Sequence, residues 1–365
     1  MEWREIMSTV IAETSPAALP YDVLEQQTPS PNPAEIVFQA GLGYIVSACV
    51  NVAIKLNIPD LIGDGVVDIK KLARMAGSNE DYLFRVLRVL ESHQIVSRPM
   101  RRAFQLTAAG QLLRRGVSGS LASAVEWIAD PLHLTLYSNL RHSIETGETT
   151  FDAVYKQPFF EWASHPENAA EAAVFNNAMT GISEMCIPAF LDAYPFGSFG
   201  KIVDVGGGHG ALLRAILKEH ANVRGTLAEM AALLDAANAA IVKDGLADRC
   251  EATACNFFDS VPVDGDLYFM KHIIHDWADE PALQVLRNIR AVIPADGKLV
   301  LAEAVLDDSS APHFGKFIDI EMIAFVGGKE RTSEEFRELL SAAGFALQRI
   351  VSTKSPLSLV EAVPC

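Results

Sequence analysis

Apolar positions recur at helical spacing over the first half of the chain, and near residue 200 the pattern changes to short apolar runs alternating with helices. Asp68 is placed to cap a short helix, IKKLARMAG, and Ser78 to cap a second, NEDYLFRVLRVLESH, whose first turn carries Glu80 and Asp81. Leu83, Val86, Leu87 and Leu90 form the buried stripe of that second helix. Residues 95–97 and 104–106 predict two short strands around the basic turn RPMRR, the pattern of a winged helix. Residues 36–54 carry no charge over 19 positions, close to the length of a membrane span. Gln39, Gly41, Gly43, Ser47 and Asn51 interrupt that run, so a helix buried between helices of the fold or of a dimer is expected instead. From 121 to 193 the period stays helical; Trp127, Tyr137, Phe159, Phe160, Trp162, Phe175 and Met179 are available there for a core or a pocket.

Beyond residue 200, strands are expected at 201–205, 225–229, 250–255, 266–270 and 298–303, with helices such as ALLRAILKEH and EPALQVLRNIRAVI between them. After the helix SEEFRELLSAAG come two closely linked strands, 346–351 and 357–362. Alternating strands and helices imply an α/β domain with a doubly wound, mostly parallel sheet, and the final hairpin makes the last strand antiparallel. The expected organisation is an extended, Pro- and Ser-rich arm over 1–33, a winged-helix region over 34–117, a helical segment over 118–195 and the α/β domain over 196–365.

Composition narrows the function. Of 365 residues, 50% are hydrophobic, enough for a real core. Lysine and arginine number 30 against 46 acids, a formal charge of −16, which disfavours nucleic-acid and anionic-membrane partners. Arg85, Arg88, Arg98, Arg101 and Arg102 give the winged helix local positive charge, and a module packing another subunit is the favoured reading over one gripping DNA. Five scattered cysteines without a CxxC pair indicate a reducing compartment and no structural zinc. The first residues, MEWRE, do not read as a signal peptide, so a cytoplasmic location is expected.

Two segments carry chemistry. Asp204-Val-Gly206-Gly207-Gly208-His209-Gly210 lies where the first strand meets the first helix, so its glycines let backbone amides approach a ligand. The spacing departs from the dinucleotide G-x-G-x-x-G and fits S-adenosylmethionine better, with Glu229 ending the next strand where a carboxylate can accept ribose hydroxyls. The second segment, Lys271-His272-Ile-Ile-His275-Asp276-Trp277, begins at the end of the fourth strand and lines the cleft. His272 and His275 are three apart, with Asp276 adjacent, and could be metal ligands; by itself His275 also reads as a buried imidazole capping a helix.

Together DVGGGHG, the K-x-x-x-HDW-x-DE run, FNNAM and GGKERT-x-x-EF resemble the small-molecule O-methyltransferases of the plant caffeic-acid and bacterial antibiotic-tailoring type, from about residue 35 to the end. The resemblance implies a Rossmann-like methyltransferase domain with a seven-stranded sheet, a winged-helix dimerisation domain and a homodimer. It implies S-adenosylmethionine as cofactor, held by Asp204, Gly206, Gly208 and Glu229, with Asn256 and Phe257 beside the adenine, Lys271 reaching the cofactor and Trp277 as an aromatic wall. His275 becomes the general base, flanked by Glu303 and Glu330; Glu303 is expected first, and Glu330 second, as the carboxylate on its other ring nitrogen. Phe175, Met179, Met322 and Asp276 fall at the acceptor, and the helical segment over 118–195 lines its pocket. Glu330 has a competing role, since Thr332 to Glu335 forms a capping box immediately after it.

The expected reaction moves a methyl group to a hydroxyl of a small aromatic and needs no metal. Two alternatives stand beside it: a family member using the same fold for hydroxylation, decarboxylation or ring closure, and a DNA-binding regulator with a ligand-sensing α/β half.

Overall fold

The computed structural model describes residues 32–365, so the arm expected over 1–33 lies outside the described residues except at its end. Two compact units follow, one up to Thr135 and one over Leu136–Cys365. The division falls inside the helix Pro131–Ser138 and so splits the segment expected over 118–195.

In the first unit, helix α1 (Pro33–Lys55) precedes strand β1 (Val67–Asp68), helices α2 (Ile69–Met75) and α3 (Glu80–Ser92), and strands β2 (Val96–Met100) and β3 (Ala103–Leu106). The sheet is antiparallel in the order β1-β3-β2. Asp68 Oδ1 accepts from the amides of Lys70 and Lys71, as its position predicts. The cap of α3 is Asn79, not Ser78: Asn79 Oδ1 accepts from Tyr82 N at 3.0 Å, while Ser78 Oγ is buried without a partner. Strand β2 absorbs Arg98, Pro99 and Met100, so the basic turn shrinks to Arg101 and Arg102. The core gathers Ile54, Ile69, Leu72, Leu83, Leu87, Leu90 and Phe104.

Of the two placements expected for helix α1, burial within the fold holds only near its end. Only Val50, Asn51, Ala53 and Ile54 near its C-terminal end are buried, whereas Ile36, Val37, Phe38, Leu42 and Tyr44 are exposed. Among the described residues, most of its apolar surface before Val50 is left uncovered. Among the described residues it is the one helix long and apolar enough to cross a membrane.

The second unit is built on seven strands: β4 (Lys201–Val205), β5 (Arg224–Glu229), β6 (Cys250–Ala254), β7 (Leu267–Lys271), β8 (Lys298–Glu303), β11 (Phe345–Ser352) and β12 (Ser358–Pro364). Two short strands, β9 (Val305–Leu306) and β10 (Arg331–Thr332), pair separately. The order is β11-β12-β8-β7-β4-β5-β6, and only β12 runs against the rest. Period-two alternation feeds two cores. Ile202, Leu227, Phe269 and Val300 join Phe190, Phe196 and Leu213 on one face; Val203, Tyr268, Leu299 and Leu301 join Leu286, Ile289, Phe336 and Leu340 on the other.

The antiparallel strand carries a buried acid. Glu361 accepts from Tyr194 Oη at 2.6 Å, Arg349 Nη2 at 3.0 Å and Lys298 Nζ at 3.1 Å. Burial alone would raise its pKa, but these donors hold it below the ordinary carboxylate range. A depressed carboxylate stabilises the fold above its unfolded pKa and stops doing so as pH falls through the folded value. Glu361→Gln should cost about 2 kcal/mol at pH 7, because two of the lost partners are charged. Denaturant titrations should show the difference from the parent shrinking as the pH is lowered below 4.

Candidate active site

Strands β4 and β7 are neighbours, and the chain leaves β4 toward β5 on one side while β7 and β8 lie on the other. Their carboxyl ends therefore flank the point at which the winding reverses, the place where open α/β sheets bind ligands. The glycine loop follows β4, with Gly206, Gly208 and Gly210 at φ of 72°, 60° and 70°. Such backbone favours residues without a Cβ. A Cβ on Gly206 would also come within 2.6 Å of Ile273 Cδ1, and one on Gly207 within 2.3 Å of Asp204 Oδ2. Space beside Gly208 is open: nothing lies within 4 Å of where its Cβ would stand.

Glu229, at the end of β5, receives the amide of Gly208 on Oε2 at 2.8 Å and that of Met230 on Oε1 at 2.7 Å. Asp204 lies buried beneath the loop; burial pushes its carboxyl up to about 7 against the opposing pull of Lys271. Burial lowers the Lys271 ammonium, while Cys186, Asp204, Glu303 and Asp276 act to keep it charged. Asn256 is already engaged, donating to Asp259 Oδ2 and accepting from Phe258 N, so its side chain shapes the turn after β6.

His275 sits in a three-residue helical turn, Ile274–Asp276, just beyond β7. Its Nδ1 is 2.7 Å from Glu330 Oε1 and 4.0 Å from Glu303 Oε2, while its Nε2 is 3.3 Å from Asp276 Oδ1. The expected ranking of the two glutamates is thus reversed. Glu303, at the end of β8, is committed to the amides of Ile273 and Ile274 at 3.2 and 2.9 Å, which fix the turn. Glu330 reaches the ring because its loop packs on the turn: Lys329 N donates to His275 O at 2.9 Å. A Cβ on Gly328 would lie 1.9 Å from that carbonyl oxygen, so this approach requires glycine. The capping box from Thr332 to Glu335 also forms, so the two roles read into this segment coexist.

Burial would lower the His275 pKa, but Asp276, Glu303 and Glu330 together raise it. Glu303 and Asp276 are raised in turn, first by burial. His272 adopts a left-handed backbone (φ 52°) and stacks its ring on that of His275, 4.7 Å apart and 15° from parallel. Such stacking does not aim the two rings at a shared metal. The donors that do converge are His275, Glu303 and Glu330, whose ligand-type atoms lie within 4.8 Å of one another.

Trp277 stacks with Phe160 at 6.3 Å and meets Phe257 and Phe258 edge-on, at 6.3 and 4.7 Å. Phe160 and Phe175 are 6.3 Å apart in the same group. Met179 and Phe175 lie on the helix Ala169–Ala193, and Met322 is buried on Phe314–Phe325. The sequence reading did not place Phe258, Gly328 or Arg331 at the site. An unbroken pair of glycines beside HDW's partner motif was the available signal for Gly328.

Residues 137–346 match the O-methyltransferase domain, and residues 38–116 match the O-methyltransferase dimerisation domain. The chain belongs to the O-methyltransferase family. This O-methyltransferase is 36% identical to a phenazine O-methyltransferase of Lysobacter antibioticus, over 91% of this chain and 96% of that one. It is 30% identical to the aclacinomycin 10-hydroxylase of Streptomyces purpurascens, over 85% and 84% of the two chains. Among solved structures, a methyltransferase of calicheamicin biosynthesis bound to S-adenosylhomocysteine superposes with a TM-score of 0.81, at 28% identity over 91% of this chain and 98% of that one.

The cofactor of the O-methyltransferase is S-adenosylmethionine. The residues present fit it: open space beside Gly208, a buried acid on that glycine's amide, and a Trp277 Nε1 that is buried without a partner. Glu229→Ala should lower S-adenosylmethionine affinity at least tenfold by calorimetry, since it removes a buried carboxylate and leaves the Gly208 amide unpaired. Gly206→Ala should lower affinity and melting temperature together, because its Cβ meets Ile273.

Proposed function

We propose that this methyltransferase transfers the methyl group of S-adenosylmethionine to a hydroxyl of a small, planar aromatic acceptor, with His275 as the general base. The observation that carries the reading is the 2.7 Å contact between His275 Nδ1 and Glu330 Oε1, buried at the carboxyl ends of β7 and β8. A proton on Nδ1 donated to Glu330 leaves the Nε2 lone pair for the acceptor. A phenol near pKa 10 is about three units from ionisation at neutral pH, roughly 4 kcal/mol. His275 removes that proton as the oxygen attacks, a contribution of about 10²–10⁴-fold. When bound, S-adenosylmethionine supplies an electrophilic methyl on a cationic sulfur that departs as a neutral thioether. Asp276, Glu303 and Glu330 stabilise the imidazolium that His275 becomes. On this reading Asp204, Gly206, Gly208, Glu229, Phe257, Lys271 and Trp277 face the cofactor, with Asn256 shaping the turn beside them, and Phe175, Met179 and Met322 face the acceptor. No metal is needed for the transfer.

The exposed apolar length of α1, within the region that matches the dimerisation domain, fits a second copy of the chain, so we propose a homodimer. The DNA-binding reading loses ground because Arg98 is paired with Glu91 and Arg102 with Glu80. The non-methylating reading is kept alive by the hydroxylase relative.

Mass spectrometry with methyl-labelled cofactor and a panel of phenols, quinols and phenazine-like hydroxyls tests the reaction. Label should appear on a product and fall at least 100-fold with His275→Ala. A transformed but unlabelled acceptor would replace this reading with the non-methylating one. The carboxylates around His275 raise its pKa, so in cofactor-free protein the imidazole still holds its second proton at neutral pH, and the free base that transfer requires grows as the pH rises. Glu330→Gln removes one anion, so an NMR titration should show that proton released at lower pH than in the parent.

A further inference from the structure

Arg331 follows Glu330 in a run of charged residues, yet it is 1% exposed. Four of the five donations from its guanidinium go to one short stretch of chain, residues 274–279. Nη1 donates to Ile274 O at 3.0 Å and Lys329 O at 3.4 Å, Nη2 to Trp277 O at 2.9 Å and Asp279 Oδ1 at 2.8 Å, and Nε to Asp279 Oδ1 at 3.2 Å. Ile274 and Trp277 bracket His275 and Asp276, so one side chain grips the turn on both sides of the base. Asp279 is the anchor. Burial would raise its pKa, but Arg331 and Lys329 hold it below the usual carboxylate range. From the turn, Trp277 extends to Phe257 and Phe258, and His275 to Glu330.

We infer that Arg331 is a positioning residue that locks the base His275 and the aromatic wall Trp277 into one rigid body, so that cofactor binding and base orientation are coupled through it. The inference rests on His275 acting as the base. A three-residue helical turn has little stability of its own, and its free carbonyls need partners. Arginine suits this because its planar fork serves several fixed acceptors at once; lysine offers a single point of charge. Because Arg331 touches neither ring, losing it should disturb orientation rather than remove a chemical group.

Three variants, Arg331→Met, Arg331→Lys and Asp279→Asn, test the inference through four readouts: kcat, acceptor KM, cofactor affinity by calorimetry, and the His275 imidazole titration by NMR in cofactor-free protein. For Arg331→Met we expect kcat to fall at least tenfold with acceptor KM within threefold, S-adenosylmethionine affinity to fall several-fold, and the His275 titration to move. Arg331→Lys should recover part of each effect, and Asp279→Asn should show the same pattern more weakly. A folded Arg331→Met with parental kcat, cofactor affinity and His275 titration would overturn the inference, as would a loss confined to melting temperature. If Arg331→Met does not fold, the same readouts on Arg331→Lys and Asp279→Asn decide. Should the parent transfer no methyl group, the methyl-transfer reading fails separately, and the affinity and NMR readouts still test the coupling.

Discussion

A buried imidazole set among three carboxylates governs the architecture of the second unit. Ions taken out of water cost several kcal/mol each unless partners replace the lost solvation. Here the replacement is specific. Glu303 takes two backbone amides, Glu330 takes His275 Nδ1 while its own amide donates to Asp319, and Asp276 lies against Nε2. Lys271, the last residue of β7, supplies positive charge toward Asp204, Glu303 and Asp276. The cluster therefore draws on the ends of β4, β7 and β8 together, and only a sheet that sets these strands side by side can assemble it.

That dependence explains the division of labour between strands and loops. The central strands β4, β7 and β8 are buried along most of their length and are apolar except near their ends, so their middles fix positions without chemistry of their own. Function sits where they end: a glycine loop after β4, an acid at the end of β5, the His275 turn after β7 and Glu303 closing β8. Glu330 alone arrives from outside the sheet, on the loop between Phe314–Phe325 and the helix Ser333–Ala342.

Much of this was legible locally. Apolar runs of strand length, the glycine cluster after the first of them and the HDW segment each rely on short-range pattern, and the strands formed within a residue or two of their expected places. What stayed hidden depended on tertiary neighbours. Glu303 and Glu330 are both acids near His275, and only the loop's close approach at Gly328 decides which one reaches the ring. Ser78 and Asn79 are both good caps, and because the helix starts at Glu80 it is Asn79 whose side chain meets it. Arg331 reads in sequence as one more solvated charge in Lys-Glu-Arg, because nothing local signals the four acceptors that hold it. Helix α1 was recognisable as apolar, but its pattern does not say what covers it, and among the described residues Ile36, Val37, Phe38, Leu42 and Tyr44 stay exposed.

The placement of His275, the proposed base, on a short turn rather than a long helix has a further consequence. A residue inside a regular helix inherits its position from many hydrogen bonds, whereas Ile274–Asp276 is one turn long. Its geometry must come from elsewhere, and all of it comes from two segments. From β8, Glu303 binds the amides that enter the turn; from the loop, Gly328 admits the backbone, Lys329 N holds the His275 carbonyl, Glu330 holds the ring and Arg331 holds the carbonyls on either side. Since an error near 1 Å can cost about 10²-fold in rate, four consecutive residues spent on orienting one imidazole is what such a turn demands. The chemistry of His275 is thus written partly in a segment more than 50 residues downstream, where the same contacts that set its proton also set its place.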